Sequence, residues 1–275
     1  MERITVHGMS MPKLGLGTFR LTGSACAEAV QSALGIGYRH IDTAEMYGNE
    51  DGVGEGMAHG GVSRRDIHLT TKVWWDHLAD DGIARAAEAS LKKLRTDYVD
   101  LYLIHWPAAG MDLKDAVTKL GQIQHRGLAR HVGVCNFPSA LFRQAVAAAD
   151  VPIVCNQFEY SVLLGQKMLV EATRGEGAAV IAYSPLAQGR LAEQDSLKSI
   201  ARKHGATPAQ VALKWLLDQD DVAAIPKAGR RETQQANLDS MNVTLDDLDR
   251  AEIARLPKDQ RFVQPGFAPQ WDMVG

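Results

Sequence analysis

Eight times along this chain a short run that reads as a buried strand is followed by a stretch whose apolar residues recur at helical spacing. The runs lie near 14–19, 39–42, 68–72, 98–104, 130–135, 153–157, 178–183 and 222–225. The helical stretches that follow lie near 25–34, 50–58, 82–94, 112–125, 138–148, 166–174, 195–204 with 207–217, and 231–239. Strands that are apolar on both faces belong to parallel sheets covered by helices. Eight such units in succession predict an α/β fold, a closed (β/α)8 TIM barrel. Residues 4–6 and 9–13 around Gly8 predict an N-terminal β-hairpin ahead of it. A helix near 245–254 and a tail from 256 to 275 fall outside the eightfold count as extra C-terminal elements. A length of 275 residues with 45% hydrophobic content suits one barrel. No low-complexity segment or long Pro/Gly linker divides it, so residues 1–275 are expected to form a single domain.

The competing architecture is an open doubly wound sheet, which carries G-x-G-x-x-G at its first strand–helix turn. Here Gly15-x-Gly17 is followed by Arg20 where the third glycine belongs, and Gly52-x-Gly54 is followed by Met57 away from any strand end. Neither fits, so a dinucleotide would have to be held in another way.

Three successive strands stop on titratable side chains. The run His40-Ile41-Asp42 ends in an aspartate, with Tyr47 five residues on. His68-Leu69-Thr70-Thr71-Lys72 ends in a lysine, and the run from Val99 to His105 ends in a histidine. A parallel barrel gathers its C-terminal strand ends at one face, so Asp42, Tyr47, Lys72 and His105 can converge. The set suffices for the proton side of a carbonyl reduction. A tyrosine hydroxyl can protonate the oxygen, but its ordinary pKa near 10 must be made more acidic. Lys72 can do so by stabilising the phenolate, Asp42 can hold the lysine in place, and His105 can orient the carbonyl. No metal is required. Singly, each has an ordinary structural reading: a strand-end cap for Asp42, a half-buried loop aromatic for Tyr47, a neighbour or solvent for Lys72, a satisfied core histidine for His105. Their joint placement favours the chemical reading.

The totals exclude other classes. A net charge of −3 gives no basic excess for nucleic acid. The N-terminus lacks the apolar core of a signal peptide, and no apolar run is long enough to span a membrane. Cys26, Cys135 and Cys155 form no C-x-x-C pair, which suggests a reducing compartment, the cytoplasm.

The motifs resemble the aldo-keto reductase superfamily over nearly the whole length. Seven blocks carry the resemblance in order: Gly17-Thr18; Asp42-Thr43-Ala44-Glu45-Met46-Tyr47-Gly48-Asn49-Glu50; Thr71-Lys72; Leu103-Ile104-His105-Trp106-Pro107; Gly133-Val134-Cys135-Asn136-Phe137; Tyr183-Ser184-Pro185-Leu186; and Ile225-Pro226-Lys227. The short loops and the ending Ala268-Pro269-Gln270-Trp271-Asp272 resemble the small bacterial branch that reduces methylglyoxal and 2,5-diketo-D-gluconate. The resemblance implies an NADPH-dependent reductase of small aldehydes and ketones, with Asp42, Tyr47, Lys72 and His105 as a catalytic tetrad and Tyr47 as general acid. It implies that Asn136 and Gln157 bond the nicotinamide carboxamide and that Tyr183 stacks on the ring. Gly17, Thr18 and Asp42 would lie near the ribose, with Ser184, Leu186, Gln188 and Gly189 along the pyrophosphate. Without the family, Gln157 reads equally as a buried strand amide and Tyr183 as core.

The adenosine end departs from the pattern. Lys227 matches the lysine that meets the NADP 2′-phosphate, and Asn237 is retained. Ala228 stands where a serine or threonine is usual, Thr233 where an arginine is, and Ala236 where an acidic residue is. Arg230 and Arg231 can supply the missing guanidinium, or they are a solvated helix start. NADPH is expected to be favoured, with NADH still usable. Phe19, Trp74, Trp106 and Trp271 are expected to wall the substrate pocket with Tyr47 and His105, while Trp75 suits packing between helices as well. Two other functions compete: a cofactor-binding barrel with a regulatory role, and a barrel hydrolase or isomerase. The intact tetrad argues against the first, and the lack of a carboxylate pair or phosphate loop against the second. A monomer or weak dimer without nucleic-acid or membrane partners is expected.

Overall fold

The computed structural model describes residues 2–273; the expected ends of the chain, Met1 and Val274–Gly275, lie outside the described residues. β1 (Arg3–Val6) and β2 (Met9–Pro12) pair antiparallel, with Arg3 opposite Pro12 and Val6 opposite Met9. Eight parallel strands follow: β3 (Leu16–Gly17), β4 (His40–Asp42), β5 (His68–Val73), β6 (Val99–Ile104), β7 (Ala129–Cys135), β8 (Ile153–Glu159), β9 (Ala179–Tyr183) and β10 (Val222–Ala224). They hydrogen-bond in sequence order from β3 to β10. Parallel bridges from Leu14 to Ala224 and from Gly17 to Lys227 join the first strand to the last and close the barrel. Gly15 N donates to Ala224 O at 2.9 Å and Gly17 N to Pro226 O at 3.1 Å across this seam. A Cβ on Gly17 would lie 2.5 Å from Ile225 O, so the seam needs a glycine there. β3 is shorter than the expected 14–19 run, with Leu14 joined to the last strand only by an isolated bridge.

Helices cover the strands: α1 (Gly23–Gly35), α2 (Glu50–His59), α3 (Gly82–Leu94), α4 (Leu113–His125), α5 (Ser139–Ala148), α6 (Lys167–Gly175), α7 (Asp195–Lys203), α8 (Pro208–Leu217), α9 (Arg231–Asp239) and the extra α10 (Asp247–Ala254). α3 shows why they form. Ile83, Ala86, Ala87, Ser90, Leu91 and Leu94 recur at helical spacing and are its buried face. α8 starts at a reciprocal Thr207–Gln210 cap with proline in its first turn, and α10 at an Asp246–Asp249 cap.

Two apolar layers position the site. Between strands and helices lie residues such as Val30, Leu69, Tyr102, Val134 and Phe158. Inside the barrel, Leu101, Leu103, Val154 and Ile181 meet Ile4, Met9 and Met11 of the hairpin. The hairpin thus floors the barrel at its N-terminal end, and the opposite end, where β4, β5 and β6 deliver their titratable residues, is left for chemistry.

Candidate active site

Inward-facing positions alternate along a strand, so β4 presents His40 and Asp42 to the barrel, and β5 presents His68, Thr70 and Lys72. Asp42 and Lys72 meet near the C-terminal mouth with Nζ 2.5 Å from Oδ1, their side chains 1% and 0% exposed. Lys72 also donates to Thr43 O at 2.8 Å, and Gln157 Nε2 donates to Asp42 Oδ2 at 2.8 Å. Tyr47 ends a 3-10 turn (Glu45–Tyr47) directly after β4, and its ring lies 5.2 Å from Lys72 Nζ. His105, one residue past β6, stands edge-on to Tyr47 at 5.6 Å between ring centres. The four residues expected to converge do so.

Burial works against the Lys72 ammonium, but the Asp42 carboxylate and the Tyr47 phenol more than offset it, so its pKa is raised and the lysine is charged. The Tyr47 ring is half-buried. Burial pushes its phenol up to about 12, with Lys72 the largest opposing influence. The expectation that the lysine leaves the phenol more acidic than an ordinary tyrosine is therefore not met: Lys72 lowers the value, but desolvation outweighs it and the net shift is upward. Tyr47 is protonated near neutral pH, the state a proton donor needs. Burial, then Lys72, holds His105 well below the ordinary histidine value. Its neutral ring carries an unpartnered, buried Nδ1.

Residues without an assigned role at the sequence level lock the loops. Asn49 Nδ2 donates to Thr18 O and Leu21 O at 2.9 and 2.8 Å, and its Oδ1 accepts from Thr43 Oγ1 at 2.8 Å. Glu50, buried, accepts from Thr71 Oγ1 at 2.6 Å. Glu45 accepts from Trp74 N and bonds His77 Nδ1, both at 2.9 Å, tying the Tyr47 turn to the loop after β5. All three sit in the block that carries Asp42 and Tyr47, which was the only signal for them.

Beside the tetrad, strained backbone marks the ends of β7 and β9. Asn136 and Ser184 have φ of 65° and 47°, and Ala187, Gln188 and Gly189 continue at 47°, 49° and 95°. Left-handed non-glycine residues cost free energy and concentrate at ligand sites. Tyr183 Oη donates to Asn136 Oδ1 at 2.7 Å, and Asn136 Nδ2 donates to His105 O at 3.0 Å. That leaves one lone pair on Asn136 Oδ1 and one N–H on Gln157 for a ligand amide. Thr18 is buried, and its hydroxyl donates to Asp42 O at 3.0 Å. Leu186 is half-buried against the core near α7 and α8. At the end of β10, Lys227, Arg230 and Arg231 are exposed. Among the described residues none of the three has an ion-pair or side-chain hydrogen-bond partner, and α9 opens at Arg231. Asn237 is buried nearby with an unpartnered Nδ2.

The aromatic wall is larger than expected. Phe19 lies 5.0 Å from Tyr47, and Trp74 5.1 Å from His105. Phe267 touches Trp74, Trp75 and Trp106 at 5.6, 5.4 and 5.6 Å, and Trp271 touches Trp106 at 6.0 Å. Trp75 therefore belongs to this wall. Phe267 comes from the tail, which is pinned across the mouth at two points. Glu159 accepts from Phe262 N and Val263 N at 2.9 Å each, and Asp272 accepts from Ser139 N and Oγ at 2.9 and 2.8 Å. Nothing periodic in the sequence marked Phe267 or Glu159.

A model of the aldo/keto reductase family matches residues 13–258. Methylglyoxal reductase DkgB of Salmonella typhimurium is 40% identical over 268 residues, covering 96% of this chain and all of that protein. A solved structure of a candidate 2,5-diketo-D-gluconic acid reductase B matches with a TM-score of 0.97 and 36% identity over 99% of this chain and 98% of that one. The aldo-keto reductase of Bombyx mori, solved with NADP, matches with a TM-score of 0.89 and 31% identity over 96% and 95%.

Proposed function

Since this chain belongs to the aldo/keto reductase family and is an NADP-dependent oxidoreductase that reduces carbonyl groups, we propose that its substrates are small aldehydes and ketones such as methylglyoxal or keto-sugars, with Tyr47 as proton donor. The observation that carries this reading is the sealed Asp42–Lys72 pair beside the Tyr47 ring, facing His105 inside an aromatic wall. Both relatives named as acting on dicarbonyls or keto-sugars are matched end to end.

The residues present fit a nicotinamide dinucleotide phosphate. The three unpaired cations at the start of α9 suit a 2′-phosphate, and the helix N-terminus favours an anion there. Ser184, Leu186, Gln188 and Gly189 line the strained turn for the pyrophosphate, Gly17, Thr18 and Asp42 the ribose. Tyr183 offers a ring face, and Asn136 and Gln157 keep free amide capacity. When bound, the cofactor supplies hydride to the carbonyl carbon. The chain does the rest. His105 orients the carbonyl oxygen, Tyr47 Oη gives it a proton, and the Lys72 ammonium stabilises the phenolate left behind. Asp42 keeps that ammonium in place, and the wall of Phe19, Trp74, Trp106 and Trp271 excludes water.

NADPH is preferred and NADH remains usable, because Lys227 and Arg231 are present while Ala228 and Thr233 withhold two further contacts. Three buried, unbridged cysteines support a cytoplasmic enzyme, acting as a monomer or weak dimer with one catalytic domain. A binding-only role gains nothing from the three relatives named above, each described as a reductase. Initial rates with methylglyoxal and 2,5-diketo-D-gluconate, each with NADPH and NADH, test the proposal. Turnover of neither compound with either cofactor would refute the substrate class.

A further inference from the structure

At the barrel end opposite Tyr47, the hairpin turn at Gly8 and the starts of several strands enclose a basin of about 560 Å3. Its wall carries four guanidinium groups, Arg3, Arg39, Arg65 and Arg130, together with His68 and His131. The two carboxylates there are Asp66 and Asp100. Asp100 is already neutralised. Its Oδ2 accepts from Arg64 Nη1 at 2.8 Å and from Leu69 N at 3.0 Å, and its Oδ1 lies 3.5 Å from Arg130 Nη1. Positive charge is therefore left over in a concave space.

The guanidiniums are held in place and still have capacity. Arg3 donates to Ser10 Oγ and Ser10 O, both at 2.7 Å, and Arg39 donates to Leu34 O and Tyr38 O at 3.0 and 2.7 Å. Each keeps unspent N–H groups. Arg130 stacks on the Tyr98 ring at 4.3 Å, as does Arg64 at 4.2 Å. Arg65 is exposed and, among the described residues, makes no hydrogen bond or ion pair. His68 is 6% exposed, and its Nε2 has no partner although buried polar atoms nearly always find one. Its ring is fixed edge-on to His40 at 5.0 Å.

We propose that this basin is a second ligand site, which binds the multiply charged phosphoryl group of a small phosphorylated metabolite. Guanidinium forks match phosphoryl oxygens in pairs, and the volume falls within the range of small-molecule sites. The site is separate from the cofactor cleft. It lies at the start of β5, whose far end carries Lys72.

Titration calorimetry on the NADPH-saturated protein, with inorganic pyrophosphate as the probe, tests this; bound NADPH keeps the probe away from Lys227 and Arg231. Saturable one-to-one binding is expected, weakened about tenfold or more in Arg65→Ala and in Arg3→Gln. Arg65→Ala, at an exposed residue without partners, should retain the wild-type melting temperature and turnover. Citrate at equal charge, and sodium chloride at matched ionic strength, should not reproduce the binding. No saturable heat with pyrophosphate, equal affinity in both variants, or equal binding of citrate would overturn the proposal.

Discussion

Replacing Lys72 by methionine removes one half of a sealed ion pair, and the structure sets the size of the effect. Asp42 would stay behind, 1% exposed, with only the Gln157 bond at 2.8 Å. Breaking a buried pair in this way costs about 3–5 kcal/mol. The surviving Gln157 bond places this case near the lower figure. For a chain of this size each kcal/mol lowers Tm by about 2–4 °C, so a fall of about 6–12 °C is expected. Removing both charges in Lys72→Met/Asp42→Leu should recover much of that loss, since no orphaned carboxylate remains. Activity behaves differently. Lys72 is the largest influence opposing burial at the Tyr47 phenol, so turnover should fall about 100-fold or more in Lys72→Met, by less in Asp42→Asn, and should not return in the double variant. Thermal melts on the wild type, Lys72→Met, Asp42→Leu and the double variant, with initial rates on these and on Asp42→Asn, check both parts. A Lys72→Met protein as stable as the wild type, or a double variant whose loss equals the sum of the singles, would refute the buried-pair reasoning.

Acid should destabilise the protein through its buried histidines, His40, His68 and His105. Burial lowers His40 to about 4 and holds His68 well below 6.5. The unfolded chain binds the extra protons, so stability is complete above about pH 6.5 and is lost as pH falls toward 4. At about 1.4 kcal/mol for each pH unit between 6.5 and 4, His40 alone accounts for up to about 3 kcal/mol; a Tm that stays constant from pH 7 to pH 4 would contradict this. Phe267→Ala should raise KM for the carbonyl about threefold to tenfold by opening the wall formed with Trp74, Trp75 and Trp106, leaving the Kd for NADPH unchanged; an unaltered KM would remove the tail from the pocket. Lys227→Ala and Arg231→Ala should each narrow the gap between the Michaelis constants for NADPH and NADH, and equal constants in the wild type would show that these cations are only a solvated helix start.

The barrel was legible because its strands are apolar on both faces and each is followed by a helical period. Asp42, Lys72 and His105 stood out for the same reason: a titratable residue at the C-terminal end of a buried run has few places to go except the barrel mouth. What stayed hidden is held by contacts without period. Asp272 reaches Ser139 across 133 positions, and Phe262 reaches Glu159 across 103, so the tail that carries Phe267 read as an irregular ending. Arg3, Arg39, Arg65 and Arg130 lie near the starts of four different strands and singly resemble ordinary surface charges. Only the closed barrel brings them around one basin. The pKa of Tyr47 moves opposite to the expected direction because the sequence shows the neighbouring lysine but not the desolvation that outweighs it.

The central claim is that Tyr47 Oη supplies the proton. The most direct measurement pairs the turnover of Tyr47→Phe on methylglyoxal with its affinity for NADPH, read from tryptophan fluorescence. The substitution deletes one oxygen and leaves the ring against Phe19 and His105. The account predicts that kcat falls about 100-fold or more while the Kd for NADPH stays at its wild-type value. Turnover within a few fold of wild type, with the cofactor bound equally well, would contradict it.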